Sequence, residues 1–162
     1  MAASPASPAS PASAASGAAR AARPREPART EFRFWTEEKL RNPDTDQFRH
    51  VNHAAMVTMF EAGRMELFAQ PQVHALIEGA NLAVVSLSLQ FHRELFYPGR
   101  VAIGSTVVSV GNTSFKCLQA LFDSKNACVA SAEAVCVLFD PAAGRAQRIN
   151  NALRSMLLPT PA

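Results

Sequence analysis

Four apolar, strand-like runs follow one another between Val85 and Phe139, joined only by short turns, and this most constrains the fold. Val85, Leu87, Leu89 and Phe91 alternate with Ser86, Ser88, Gln90 and His92, the period of a half-buried strand. Tyr97-Pro98-Gly99 breaks the chain, and further strands are expected over Val101 to Val110, Ser114 to Phe122 and Cys128 to Phe139. Gly111-Asn112 and Asp123-Ser124-Lys125-Asn126 supply the turns between them. Short turns force antiparallel neighbours. The last run is apolar on both sides, which places it inside the sheet. Pro141 to Gly144 reads as another turn, and Asn151 to Leu158 as a short terminal helix or an irregular tail.

Before these strands lies a helical pattern over about 52–68, with Asn52 as N-cap and Met56, Met59, Phe60 and Leu67 at three- and four-residue steps. Gly63 in its interior costs about 1 kcal/mol against Ala, which marks a close backbone approach. Glu31 to Trp35 alternates as a strand, and Pro71 to Gly79 reads as a short second helix. The economical packing is α+β: one curved antiparallel sheet wrapped around one long apolar helix.

Residues 1–30 are of another kind. Ser-Pro-Ala repeats from Ser4 to Ala12, and Pro5, Pro8, Pro11, Pro24 and Pro27 forbid a core. A disordered extension is expected there, with one domain over 31–162. A cytoplasmic location follows, with an organellar targeting peptide as the alternative, because the segment is rich in Ser and Arg. Four of the 16 basic residues and one of the 13 acidic ones lie in this extension. The remainder is balanced at twelve of each, which argues against a nucleic-acid partner.

No apolar run approaches the roughly 18 residues that span a bilayer, so no membrane partner is expected. Cys117, Cys128 and Cys136 are odd in number and lack C-x-x-C spacing, and they read as buried thiols. The histidines are not grouped at ligand spacing, so no metal is expected.

Chemistry concentrates in Asp44-Thr45-Asp46-Gln47-Phe48-Arg49-His50-Val51-Asn52-His53. A turn-rich segment delivers a carboxylate to the start of a helix, where free N–H groups and partial positive charge gather. Such a pair can attack a carbonyl and hold the resulting oxyanion. The plain alternative for Asp46 is a turn acid that fixes the loop.

The order of elements and this motif resemble the hotdog fold, and more narrowly the 4-hydroxybenzoyl-CoA thioesterase-like acyl-CoA thioesterases. Asp44, Asp46, His50, Val51 and Asn52 match that family's Asp-x-Asp-x-x-Gly-His-Val-Asn-Asn, and Phe60, Glu61 and Arg64 match its Phe-Glu-x-x-Arg. Gln90 to Arg93, Tyr97-Pro98-Gly99 and Val110 to Phe115 resemble its later strand junctions. Arg49 stands where Gly is usual, His53 where a second Asn is usual and Met56 where Tyr is usual.

The resemblance implies hydrolysis of a thioester to a carboxylic acid and free CoA. Asp46 is implied as nucleophile or general base, and the main chain at His53 as the oxyanion donor. Asn52, Met59, Phe60, Phe91 and Ser114 are implied as substrate contacts. Glu61 is the rival catalytic carboxylate, although an ion pair with Arg64 is its simpler role. Asp44 is expected to hold the turn, and Arg93 and Arg100 are candidates for CoA phosphates.

No cofactor is implied. A homodimer joined through a sheet edge, or a dimer of dimers, is implied, and an acyl carrier protein remains open as the thioester carrier. The rivals are a non-catalytic acyl-CoA-binding hotdog domain and an enoyl-CoA hydratase. The hydratase's Asn-Pro falls between its acid and histidine, whereas Asn42-Pro43 here precedes Asp44.

Overall fold

A computed structural model describes residues 25–158, apart from residue 78. The elements are β1 (Phe34–Lys39), α1 (His53–Ala69), α2 (Pro71–His74), β2 (Asn81–Phe91), β3 (Arg100–Val110), β4 (Ser114–Phe122), β5 (Cys128–Asp140), β6 (Arg145–Ala146) and α3 (Asn151–Leu157). The main sheet runs β1-β3-β4-β5-β2, antiparallel throughout, with β6 added to β5. β5 is interior, as its two apolar faces require. This is the curved sheet around one helix, the hotdog arrangement.

The first strand starts later than the alternation at Glu31 suggests. Residues Arg29–Glu31 form a 3-10 turn, and Phe32 leaves the strand direction to lie flat on Gly104 of β3. A Cβ built on Gly104 would stand 2.6 Å from the Phe32 ring. The second helix is also shorter, a single turn over Pro71–His74. Residues 25–30, assigned above to the extension, pack against the sheet. Residues 1–24 lie outside the described residues.

Helix α1 buries Met56, Met59, Phe60, Gly63, Arg64, Leu67 and Phe68. Facing them from β4 are Phe115, Cys117, Gln119 and Leu121, and the alternate residues Leu118, Ala120 and Phe122 look outward. Gly63 meets β3 so closely that a Cβ there would come within 2.6 Å of Ile103 Cγ2 and 3.1 Å of Gln119 Nε2. Beside this contact Gln119 Nε2 donates to the Phe60 carbonyl and to Ser105 Oγ, both at 2.9 Å. Gln119 Oε1 accepts from Arg64 Nη1 at 2.7 Å.

Gly63→Ala adds helix propensity, yet it drives a methyl into β3. We expect a net loss of about 1–3 kcal/mol, read as a lower urea midpoint at unchanged slope. An equal or higher midpoint would show that the contact is not tight.

Candidate active site

The loop before α1 is fixed by its own backbone. Thr45 bridges Val51, and His50 bridges Phe96. The Val51 N–H donates to the Leu95 carbonyl and the Asn52 N–H to the Asp44 carbonyl, each at 2.8 Å. Asp44 is buried and takes the expected structural role. Its carboxylate accepts from the Arg41 backbone N–H at 2.7 Å and from Arg41 Nη2 at 2.8 Å. Those bonds, the Arg41 side chain first, hold its pKa below the ordinary 3.8.

Asp46 is half-buried in the same loop. Its Oδ1 accepts from the backbone N–H groups of Phe48 (2.8 Å) and His50 (3.2 Å). Both bonds fall on one oxygen, and Oδ2 takes no part in them. The turn-acid role and a reacting carboxylate are therefore compatible in one side chain.

The loop explains the glycine usual at position 49. Arg49 has φ of 67°, the left-handed region that costs an L-residue roughly 1–2 kcal/mol. The position demands a backbone shape that glycine adopts without strain, and the Arg49 side chain itself is exposed.

Asn52 caps α1 as expected, its Oδ1 accepting the Ala54 N–H at 2.8 Å. The Met56 N–H returns to the Asn52 carbonyl. First-turn N–H groups have no intrahelical acceptor, so His53, at the first helical position, presents its own outward. The exposed His53 ring meets Phe91 edge-on, with centroids 6.4 Å apart. His50 packs edge-on against Phe96 at 5.0 Å. Phe48 (67% exposed), Phe91 (50%), Phe96 (51%) and Tyr97 (44%) are the open aromatic residues of this end of the sheet and its loops.

Other implied residues fall elsewhere. Phe60 is wholly buried among core residues, on the face of α1 that packs against the sheet. Met59 is buried in the same cluster and reaches a cleft of about 360 Å³ between α1 and β1. Ser114 pairs with Val137, whereas Phe91 pairs with Ala130, so Ser114 sits about 20 Å away along β5.

Glu61 is exposed and shares a helical stripe with His53, about 12 Å along the axis. Arg64, its expected ion-pair partner, is instead 3% exposed and bound to Gln119. The pair fails because Arg64 turns into the sheet and Glu61 into solvent.

His92 is buried, with Nε2 2.9 Å from Ser131 Oγ. Burial pushes the Cys117 thiol up to about 12 and those of Cys128 and Cys136 up to about 11, so none is a thiolate nucleophile at neutral pH. Sequence reasoning missed the exposed aromatic group. Phe48, Phe96 and Tyr97 show no periodicity that would flag it.

An antiparallel sheet wrapped around one helix, with an acid-bearing loop at that helix's N-terminus, is a hotdog arrangement, and a family match assigns it to the thioester hydrolases. Residues 40–157 match the family model of the thioesterase-like superfamily, and the chain belongs to that superfamily. No curated protein matches it in sequence.

Solved structures share the fold. A predicted thioesterase from Bacillus stearothermophilus is 23% identical at a TM-score of 0.69, over 80% of this chain and 98% of that one. The probable thioesterase YbaW of Escherichia coli is 20% identical at 0.68, over 77% and 96%. A thioesterase from Thermus thermophilus, complexed with coenzyme A and zinc, is 22% identical at 0.68, over 78% and 92%.

Two outcomes follow from the loop. Arg49→Gly removes the left-handed penalty at some cost in unfolded-chain entropy, for a net gain of about 0.5–1 kcal/mol. Chemical denaturation measures it, and a loss would mean that the guanidinium makes a stabilising contact. The second concerns pH. Because the folded pKa of Asp44 is depressed, its stabilisation is complete above the unfolded value and is lost as pH falls through the folded value. The destabilisation caused by Asp44→Asn is thus expected to be largest near neutrality and to shrink below about pH 4, measured by unfolding across pH. A difference constant with pH would remove the ion pair from the explanation.

Proposed function

We propose that the chain is an acyl-CoA thioesterase in which Asp46 attacks the thioester carbonyl or activates a water, and the His53 N–H holds the oxyanion. The carrying observation is the division of labour at Asp46. One oxygen is spent on the loop that leads into the N-terminus of α1, and the other is left for chemistry. A fixed carboxylate does not have to be ordered during the reaction, and the helix end supplies positive potential where negative charge develops. The thiolate of CoA leaves and takes up a proton; water, either as the activated nucleophile or by cleaving the anhydride formed on Asp46, supplies the oxygen with which the acyl group departs as the acid.

A homodimer fits the sheet's two edges. β1 carries Glu37, Glu38 and Lys39, which guard it. β2 is eleven residues long, uncharged, and exposes Val84, Val85 and Phe91. That is an edge in want of a strand. Antiparallel pairing of two β2 edges sets the Asn81 end of one against the Phe91 end of the other. The row Ala83–Val137–Ser114 lies at the Asn81 end, which gives Ser114 a route to a shared site that a single chain denies it.

The test is a thiol-release screen over a panel of acyl-CoA lengths with three variants. Asp46→Asn is expected to lower kcat at least about a hundredfold. His53→Ala keeps the N–H and most of the rate. His53→Pro removes the N–H, and Pro is well tolerated at the first helical position. The extended backbone of Asn52 (φ −62°, ψ 140°) already suits a following proline. A large loss in His53→Pro beside little loss in His53→Ala assigns the role to the backbone. Equal rates in wild type and Asp46→Asn would end the proposal.

A further inference from the structure

Residues 25–33 form a strap across the outer face of the sheet, and its two halves are held differently. The root is anchored by packing. Phe32 lies on Gly104 with Trp35 and Phe122 around it. The Arg29 guanidinium sits 4.0 Å over the Trp35 ring, and the Arg33 N–H donates to the Ser105 carbonyl at 3.3 Å. The tip is held by charge. Arg93 Nη1 donates to Glu26 Oε2 at 2.5 Å and to the Cys128 carbonyl at 2.7 Å. A further pair, Arg25 with Glu31, is internal to the strap. Beneath the strap a cleft of about 430 Å³ runs between Arg25 and Glu31 on one side and Ser88, Gln90 and Ser131 on the other.

The anchor of the tip is well placed. Arg93 lies two residues after Phe91, whose ring meets His53. It precedes Glu94, which stands 3.7 Å from His50 Nε2. The backbone of Arg93 therefore sits between two residues that touch the candidate site, and about half of its side chain is exposed. Asp123 also faces it, and its Oδ1 accepts from the N–H groups of Lys125 and Ala127 within the β4–β5 turn. Glu26 is different. It comes from a distant part of the chain, and an ion pair this exposed is weak enough to be exchanged. A phosphate offers the fork of an arginine the same geometry as a carboxylate, with more charge.

We propose that Glu26 is a built-in competitor: it occupies Arg93 in the resting chain, and a phosphate of the thioester's carrier displaces it, releasing the strap tip while the root stays packed. This rests on the thioesterase reading for the identity of the ligand, CoA or a phosphopantetheine-bearing carrier protein.

The experiment compares wild type, Glu26→Gln and Arg93→Gln on one acyl group presented as the CoA thioester, on acyl carrier protein, and on N-acetylcysteamine, which lacks any phosphate. Thermal melts check that each variant is folded. Glu26→Gln is expected to lower KM for the CoA thioester about two- to five-fold, the range an exposed ion pair commands. Arg93→Gln is expected to raise it by a similar factor. Neither moves KM for the N-acetylcysteamine ester. A matching shift on the carrier protein assigns the contact to the phosphate nearest the pantetheine arm, and a shift on CoA alone assigns it to the nucleotide phosphates.

Unchanged KM values, or equal shifts with the phosphate-free ester, overturn the proposal. If wild type cleaves no thioester, the functional reading has failed, and the exchange is read directly. CoA titrated by calorimetry must then bind more tightly to Glu26→Gln, and must speed amide exchange at residues 25–28 of wild type while residues 31–33 stay protected. The absence of both effects overturns it.

Discussion

The contact of Gly63 with β3 is the constraint on which the rest depends. Removing a side chain from the middle of α1 lets the helix axis fall onto Ile103. That approach puts the Phe60 carbonyl within reach of Gln119 and buries Phe60 without residue. With the middle of the helix fixed, its first turn is placed at the Phe91 end of the sheet, and the loop carrying Asp46 has one place to dock. The site is a consequence of how one helix is seated.

The seating is polar where a purely apolar one would have been simpler. Arg64 is buried with a neutral amide as its partner, and its Nε has no hydrogen-bond partner among the described residues. A buried cation without a carboxylate costs stability. What it gives in return is direction. Gln119 can satisfy Arg64, Ser105 and the Phe60 carbonyl together only at one rotation and one height of the helix. Apolar packing tolerates sliding, and a hydrogen-bonded amide with three partners does not. A reaction that needs a carboxylate and an amide held in fixed relation benefits from that restriction.

Much of the fold is legible in the sequence because it rests on periodicity. The alternation from Val85, the helical spacing from Asn52 and the turn residues each point to one element, and β3, β4 and β5 begin and end within a residue of their expected limits. The cap at Asn52 and the close approach at Gly63 are legible because only one backbone state suits them. The motif places Asp46 and His53 at one end. Less legible are the features decided by long-range contact. The Arg64 side chain has two directions that sequence spacing cannot rank, toward Glu61 on its own helix or toward Gln119 on the sheet. Residues 25–30 look unstructured by composition, yet Arg29 finds an aromatic pair and Glu26 finds Arg93. Both partners are remote in sequence, so no local pattern could announce them.

The two edges of the sheet carry the last step. A strand such as β2, long and free of charge, would be a hazard in a chain that ends its life as a monomer. β1 shows that this sequence protects an edge where protection is required. The difference argues that β2 is left open for a purpose, and the position of the aromatic residues agrees. Phe91 closes β2 and touches His53, so the open edge runs directly into the helix start. A partner strand laid on β2 would cover that ring, drain water from the His53 amide, and strengthen its interaction with a developing oxyanion. On the proposed reading, assembly and catalysis would be one design problem, with the pairing strand also serving as a wall of the reaction site.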